Sequence, residues 1–264
     1  MTVFKHIEIP HGVTNRHGGV SVGPYESMNT SFFGQDDKAS VFENIKLALK
    51  MLNIDAKTII ATGQVHSDQI LYIGDDFQFD SLLKIETPLE GYEVYVAHET
   101  DGLMTHRKDV VLMTFYADCV PLIIYDQKKK IAGSIHSGWR GTAQQIGKKA
   151  INMMVEKGSD PLDISVGIGH CAGVCCYEVD EPVAEAFASS FSKEACDTFL
   201  FPKLDGKVML DLKIANKCLF LSAGVTSERI DISQDCTICQ PDSYFSHRRM
   251  GYPRGSMSAF VQIK

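Results

Sequence analysis

Two apolar runs, Val120–Tyr125 and Ile131–Ile135, flank a short charged stretch containing Lys128-Lys129-Lys130. Both runs are rich in β-branched and bulky apolar residues, and three consecutive lysines belong in water. This predicts two strands joined by an exposed hairpin turn. Cys119 stands just before the first run and His136 just after the second, at similar distances from the turn. Folding the hairpin therefore brings a sulfur and an imidazole together. Cysteine and histidine form a good donor set for first-row metals, zinc in particular. A cysteine beside a histidine is also a candidate nucleophile with a lowered pKa. Spacing does not choose between the two readings.

The rest of the chain mixes strand and helix signals. Asp37–Ile54 has helical spacing, through Val41, Ile45, Leu47, Leu49 and Leu52. Thr58–Ile73 reads as strand, with Gln64 to Ser67 in it or just after it; Glu93–His98, Asp109–Tyr116 and Ile164–Ile168 read as further strands. Helices are expected over 141–156, 179–191 and 210–223, with Gly158 and Gly224 as stops, and the tail should close on a final strand. Strands outnumber helices and several adjoin in sequence, which favours an α+β fold over a doubly wound sheet. No internal repeat or low-complexity linker divides the chain.

Charge and composition narrow the function classes. A net charge of -7 argues against a nucleic-acid backbone as the main partner, although a local pocket can still be basic. No stretch has the length of a membrane span, and the N-terminal residues lack a signal-peptide core, so a cytoplasmic location and no membrane partner are expected. The eight cysteines are then expected to be thiols. Cys175-Cys176 and the Cys236/Cys239 pair invite a redox or zinc-knuckle reading, but one CxxC is a weak signal, and buried packing thiols are the expectation.

A metal held by Cys119 and His136 needs a third donor. Among nine histidines, His66 stands out because it too follows an apolar run and has polar neighbours. Three protein ligands would leave zinc an open position, as in catalytic sites. After His136, the stretch HSGWRGT joins a strand to a helix. Its glycines allow close backbone approach, and Arg140 stands at the helix mouth, an arrangement suited to phosphate. GxSxG, GxGxxG, the P-loop and the HxE…PCxxC deaminase pattern are all missing.

Seven blocks, GQVHS, DGLMT, ADCVPLIIYD, HSGWRGT, CCYEV, DLKIANKCLFLSAGV and SHRR, follow the Gly-rich segment TNRHGGVSVGPYESMN in a fixed order. In these the chain resembles the YfiH/laccase-domain family, also called the polyphenol oxidase or purine nucleoside phosphorylase family, over nearly its full length. The resemblance implies a single compact domain over 1–264, with mixed β-sheets flanked by helices. It also implies one metal, zinc (copper being the alternative), on His66, Cys119 and His136. The implied activity is phosphorolysis of adenosine, inosine, guanosine or 5′-methylthioadenosine to base and ribose-1-phosphate, with adenosine deamination also attributed to the family. A purine nucleoside and phosphate are then the partners, and nothing demands more than a monomer. Arg140 is a candidate phosphate ligand, Asp118 and Glu178 are candidate acid/base or ligand-orienting groups, and Arg16 could close over the ligand.

The chain departs from the family pattern in two places. The segment before CCYEV carries His170, Ala172 and Val174, and Ser256 replaces the usual arginine near the C-terminus, with Arg254 close enough to substitute. Other readings are a copper oxidase of phenols, for which the chain lacks any HxH pair, a cysteine hydrolase or peptidoglycan-precursor editing factor using Cys119, and a non-enzymatic binding module.

Overall fold

The computed structural model describes residues 1–264. Strands Val120–Asp126 and Ile131–Ser137 pair antiparallel, with Val120 opposite Ser137 and Asp126 opposite Ile131. Asp126 fixes the turn, its Oδ1 accepting from the backbone N–H of Lys128 (2.8 Å) and Lys129 (3.0 Å). This hairpin lies inside a six-stranded sheet ordered Ile230–Ile232, Ile164–Ile168, Val120–Asp126, Ile131–Ser137, Gly102–Thr105, Ile70–Ile73. A second six-stranded sheet is ordered His11–Val13, Met257–Val261, Val110–Tyr116, Thr58–Gly63, Glu93–His98, Leu83–Ile85.

The two sheets stack face to face. Leu112 and Tyr116 from one meet Ile123 and Tyr125 from the other in a shared buried cluster. Alternate residues of the same strands point the opposite way. Val111 and Met113 pack with Phe42, Ile45 and Leu49 of helix Lys38–Met51, while Leu122 and Ile124 join a cluster that includes Ile151 and Phe220 of helices Ile146–Glu156 and Leu212–Ser222. The order is helix, sheet, sheet, helix. Central strands are buried on both faces, which is why they read as unbroken apolar runs and not as alternation. Parallel and antiparallel pairs occur in both sheets, in agreement with the α+β expectation.

Three expectations need correction. The stretch 58–73 is two strands, Thr58–Gly63 and Ile70–Ile73, and they lie in different sheets. The polar residues between them carry the chain across. The expected helix 141–156 is two helices, Trp139–Ala143 and Ile146–Glu156, broken where Gln145 takes a left-handed conformation (φ 65°). The expected helix 179–191 is confined to Glu181–Ala188. Glu178 and Val179 pair instead with Met209 and Val208, and Pro182 suits only the first helical turn. That pairing belongs to a three-stranded sheet, completed by Leu200–Pro202, that periodicity does not reveal.

Candidate metal centre and cleft

Where the strand ends meet, the Cys119 sulfur and ring nitrogens of His66 and His136 all lie within 4.8 Å of one another. The hairpin register accounts for two of these groups, since His136 is paired with Pro121, close to Cys119. His66 sits in the crossover between the sheets, with a left-handed backbone (φ 60°). What holds it is Asp101, a fully buried carboxylate. The backbone N–H groups of Val65, His66 and Ser67 donate to Asp101 at 3.2, 3.0 and 2.8 Å, and the Ser67 hydroxyl adds a fourth bond. Asp101 Oδ1 also lies 2.8 Å from His136 Nδ1. One carboxylate therefore shapes the loop of one histidine and orients the ring of the other, leaving His136 Nε2 for a metal.

The charges follow from this geometry. Burial pushes the Asp101 pKa up, but the bonds from His136 and Ser67 outweigh it and hold the group at about 2. Burial likewise raises Cys119, yet the facing imidazoles of His136 and His66 bring it down to about 6. Burial lowers His136, and the Cys119 sulfur and Asp101 carboxylate raise it to about 9. The close approach also depends on Gly138. A Cβ there would stand 2.7 Å from His66 Nδ1 and 3.1 Å from Cys119 Sγ. A thiolate, two imidazoles, a carboxylate behind one ring and cleared space beside the donors together fit a zinc ion.

The cluster opens on a cleft of about 600 Å³, a size suited to a small organic ligand. Three arginines line it, and each guanidinium lies over an aromatic ring of the same cleft. Arg140 covers Trp139 at 4.4 Å, and Arg248 over Tyr177 and Arg254 over Tyr252 are each at 5.1 Å. Stacking holds the cations in place, and the N–H groups not already given to the Glu178 and Gly255 carbonyls, His247 and Ser256 remain for an anion.

The sequence candidates divide between this cleft and its surroundings. Arg140 and Asp118 line it. Asp118 accepts from the Thr237 hydroxyl (2.6 Å), the Ser246 hydroxyl (3.0 Å) and the Arg248 backbone N–H (2.6 Å), so its carboxylate is committed to holding the chain that bears Arg248. The Glu178 side chain pairs with Lys203, outside the cleft lining, while its backbone carbonyl accepts from Arg248 Nη1 at 2.9 Å. Arg16 bonds the carbonyls of Glu26 and Pro241 beside Phe245, also outside the lining. Of the departing residues, His170 is wholly buried against Tyr244, with ring centroids 4.3 Å apart. Ser256 lines the cleft, and its hydroxyl accepts from Arg254 Nη1 at 2.8 Å.

Sequence reasoning missed Asp101 and Arg248, and named Arg254 only as a stand-in for the arginine that Ser256 replaces. Asp101 opens the DGLMT block and Arg248 lies in the SHRR block, so the signal was present without a role attached to it. The expectation of buried packing thiols also needs correction. Cys175 and Cys239 are exposed, and with Cys176 and Cys236 they form a second close cluster.

A family profile described as multi-copper polyphenol oxidoreductase laccase matches residues 10–264. The chain is 33% identical over 258 residues to the purine nucleoside phosphorylase YlmD of Bacillus subtilis, covering 97% of this chain and 89% of that protein. It is 31% identical to the adenosine deaminase RL5 of an unknown prokaryotic organism, over 88% of this chain and 85% of the relative. Among solved structures, Bacillus licheniformis YfiH superposes with a TM-score of 0.84 at 32% identity, over 96% of this chain and 92% of that one. With its fold, its motif order and the length of the match in agreement, the chain belongs to the multi-copper polyphenol oxidoreductase laccase family, the YfiH type.

Proposed function

We propose that this protein is a zinc-dependent purine nucleoside phosphorylase, with zinc held by His66, Cys119 and His136. The observation that carries the reading is the juxtaposition of a three-donor cluster with a cleft bearing three stacked arginines. Relatives named purine nucleoside phosphorylase at 33% and 32% identity support it. When bound, the metal supplies a fixed positive charge with one open coordination position.

The chain's own residues do the rest. Arg140, Arg248 and Arg254 carry the donors for a phosphate dianion, and their partner rings offer flat apolar surface to the purine. In phosphorolysis a phosphate oxygen bonds to C1′ as the bond from C1′ to the purine nitrogen breaks, and the electron pair leaves with the base, which takes up a proton. Holding both reactants in line is the main demand, because the sugar passes through an oxocarbenium-like state. We assign the proton to His247, the one imidazole of the cleft outside the metal triad, whose Nδ1 faces Arg254 Nε at 3.5 Å. Asp118 and Glu178 act through Arg248, one holding its backbone and the other its guanidinium.

The test is a nucleoside panel with zinc-loaded protein, with and without phosphate, resolved by chromatography. Phosphate-dependent release of free base with ribose-1-phosphate is expected. Intact adenosine and inosine under both conditions would overturn the reading. A second reading, adenosine deamination, is favoured by the relative named for that activity, and inosine formed without phosphate would reveal it. Turnover that survives chelation but not Cys119→Ser would instead mark Cys119 as a nucleophile.

A further inference from the structure

Four of the eight cysteines lie far from the cleft triad in role, and two of them are exposed. The sulfurs of Cys175, Cys176, Cys236 and Cys239 all fall within 4.8 Å of one another. The pair Cys175 and Cys239, 64 residues apart in sequence, has its sulfurs 3.8 Å apart. A tetrahedral zinc with Zn–S bonds of about 2.3 Å has sulfur–sulfur edges of about 3.8 Å. The thiols are thus already spaced close to the corners of such a site.

The backbone around them is built in the same sense. Cys236-Thr237-Ile238-Cys239 forms a tight turn that sets two of the four sulfurs on one short loop. Gly173 N–H donates to the Cys236 sulfur at 3.2 Å from the opposite loop. An amide donor aimed at a sulfur stabilises the thiolate form that a metal requires. Gly173 is also sterically required, because a Cβ there would lie 2.9 Å from the Cys236 Cβ and 3.3 Å from Cys175 Sγ. Arg249 grips the carbonyls of Thr237 and Ile238, both at 2.7 Å, and adds a positive charge beside a cluster that would carry excess negative charge. Two exposed, uncommitted thiols at this spacing have no packing role that would explain the arrangement.

We propose that Cys175, Cys176, Cys236 and Cys239 bind one zinc ion as an all-thiolate structural site, separate from the His66–Cys119–His136 centre. Binding takes up one zinc ion, releases the four thiol protons and leaves no ligand position open. The ion ties loop 171–177 to loop 236–239. Thr237, inside the second loop, bonds Asp118, and Tyr177 ends the first, so the site braces the wall that carries Arg248.

The test is metal analysis of protein purified under reducing conditions in the presence of zinc. Two zinc ions per chain are expected, falling to one in His66→Ala and to one in the double variant Cys175→Ser/Cys239→Ser. In cobalt-loaded His66→Ala, strong sulfur-to-cobalt charge-transfer bands with tetrahedral ligand-field bands are expected, and this measurement decides alone if the double variant does not fold. Wild type with one zinc, kept in the double variant and lost in His66→Ala, would overturn the proposal. So would a Cys175–Cys239 disulfide in non-reducing peptide mapping of the freshly purified protein.

Discussion

The two sulfur-bearing clusters are made in different ways, and the contrast bears on what each can do. The cleft cluster sits at the ends of sheet strands, with its geometry imposed from behind by one buried carboxylate, Asp101. Its third donor comes from a polar crossover between sheets, and it faces a cavity. The four-thiol cluster sits on two loops, receives the Gly173 amide on Cys236 and leaves Cys175 and Cys239 at the surface. Three donors and an open side suit chemistry, whereas four donors and no open side suit cross-linking. Each cluster has one glycine whose missing Cβ makes room for the sulfurs, Gly138 in the first and Gly173 in the second.

The largest expected effect separates the clusters through Asp101. Asp101→Ala leaves three backbone N–H groups and the His136 ring without their acceptor. A destabilisation of about 3 kcal/mol is expected from chemical denaturation, since buried partners are left unpaired. Zinc affinity at the cleft should fall by about 10–100-fold, as for loss of a group that orients a ligand ring. Binding at the four thiols should be unchanged. Equal loss at both sites would break the distinction.

The glycines give a reciprocal pair. Gly138→Ala should abolish turnover and weaken one zinc, while Gly173→Ala should weaken the other and leave the cleft donors intact. Each is expected to cost about 1–3 kcal/mol through overpacking. Stoichiometric zinc titrations of both variants check the assignment.

Acid provides a third probe. His170, next to the loop of Cys175 and Cys176, is held at a pKa of about 3 by burial, below its ordinary value of 6.5. Between these values the unfolded chain binds a proton that the folded chain refuses, so stability falls as pH drops from about 6.5 toward 3. Near pH 5 the loss from this residue should be about 2 kcal/mol. His170→Phe should flatten that part of the stability profile, as measured by urea midpoints between pH 7 and pH 5. An unchanged slope would mean that other groups, such as buried His11, dominate.

The smallest effect is expected at Glu178. Its side chain meets the exposed Lys203, so Glu178→Gln should change stability by about 0.5 kcal/mol or less. Because its backbone carbonyl, and not its carboxylate, holds Arg248, turnover should be nearly unchanged. A large loss of turnover would return the carboxylate to the list of catalytic candidates.

Much of this molecule could be read before any coordinates. The hairpin from Val120 to Ser137 follows from two apolar runs and a lysine turn, and its ends bring Cys119 and His136 together as that pattern requires. Helices Lys38–Met51 and Leu212–Ser222 carry their own capping residues, Asp37 and Asp211, and fall within the expected spans. These features are local, because a periodic pattern or a cap is written in neighbouring residues.

Other features were not readable, for a common reason. The break within 58–73 exists because two sheets compete for one apolar stretch. Asp101 matters because three amides from residues 65–67 converge on it, and no window around Asp101 contains them. The four thiols meet across 64 residues, so a lone CxxC looked weak until the second loop was folded against it. Sequence by itself determined the family, the hairpin and the kinds of donor atom available, since these depend on residue type and short-range order. Only the tertiary structure decided which buried carboxylate aligns the donors, which arginines share the cleft and which cysteines are neighbours. Those are distances between segments that the chain does not connect directly, and packing of the two sheets sets them.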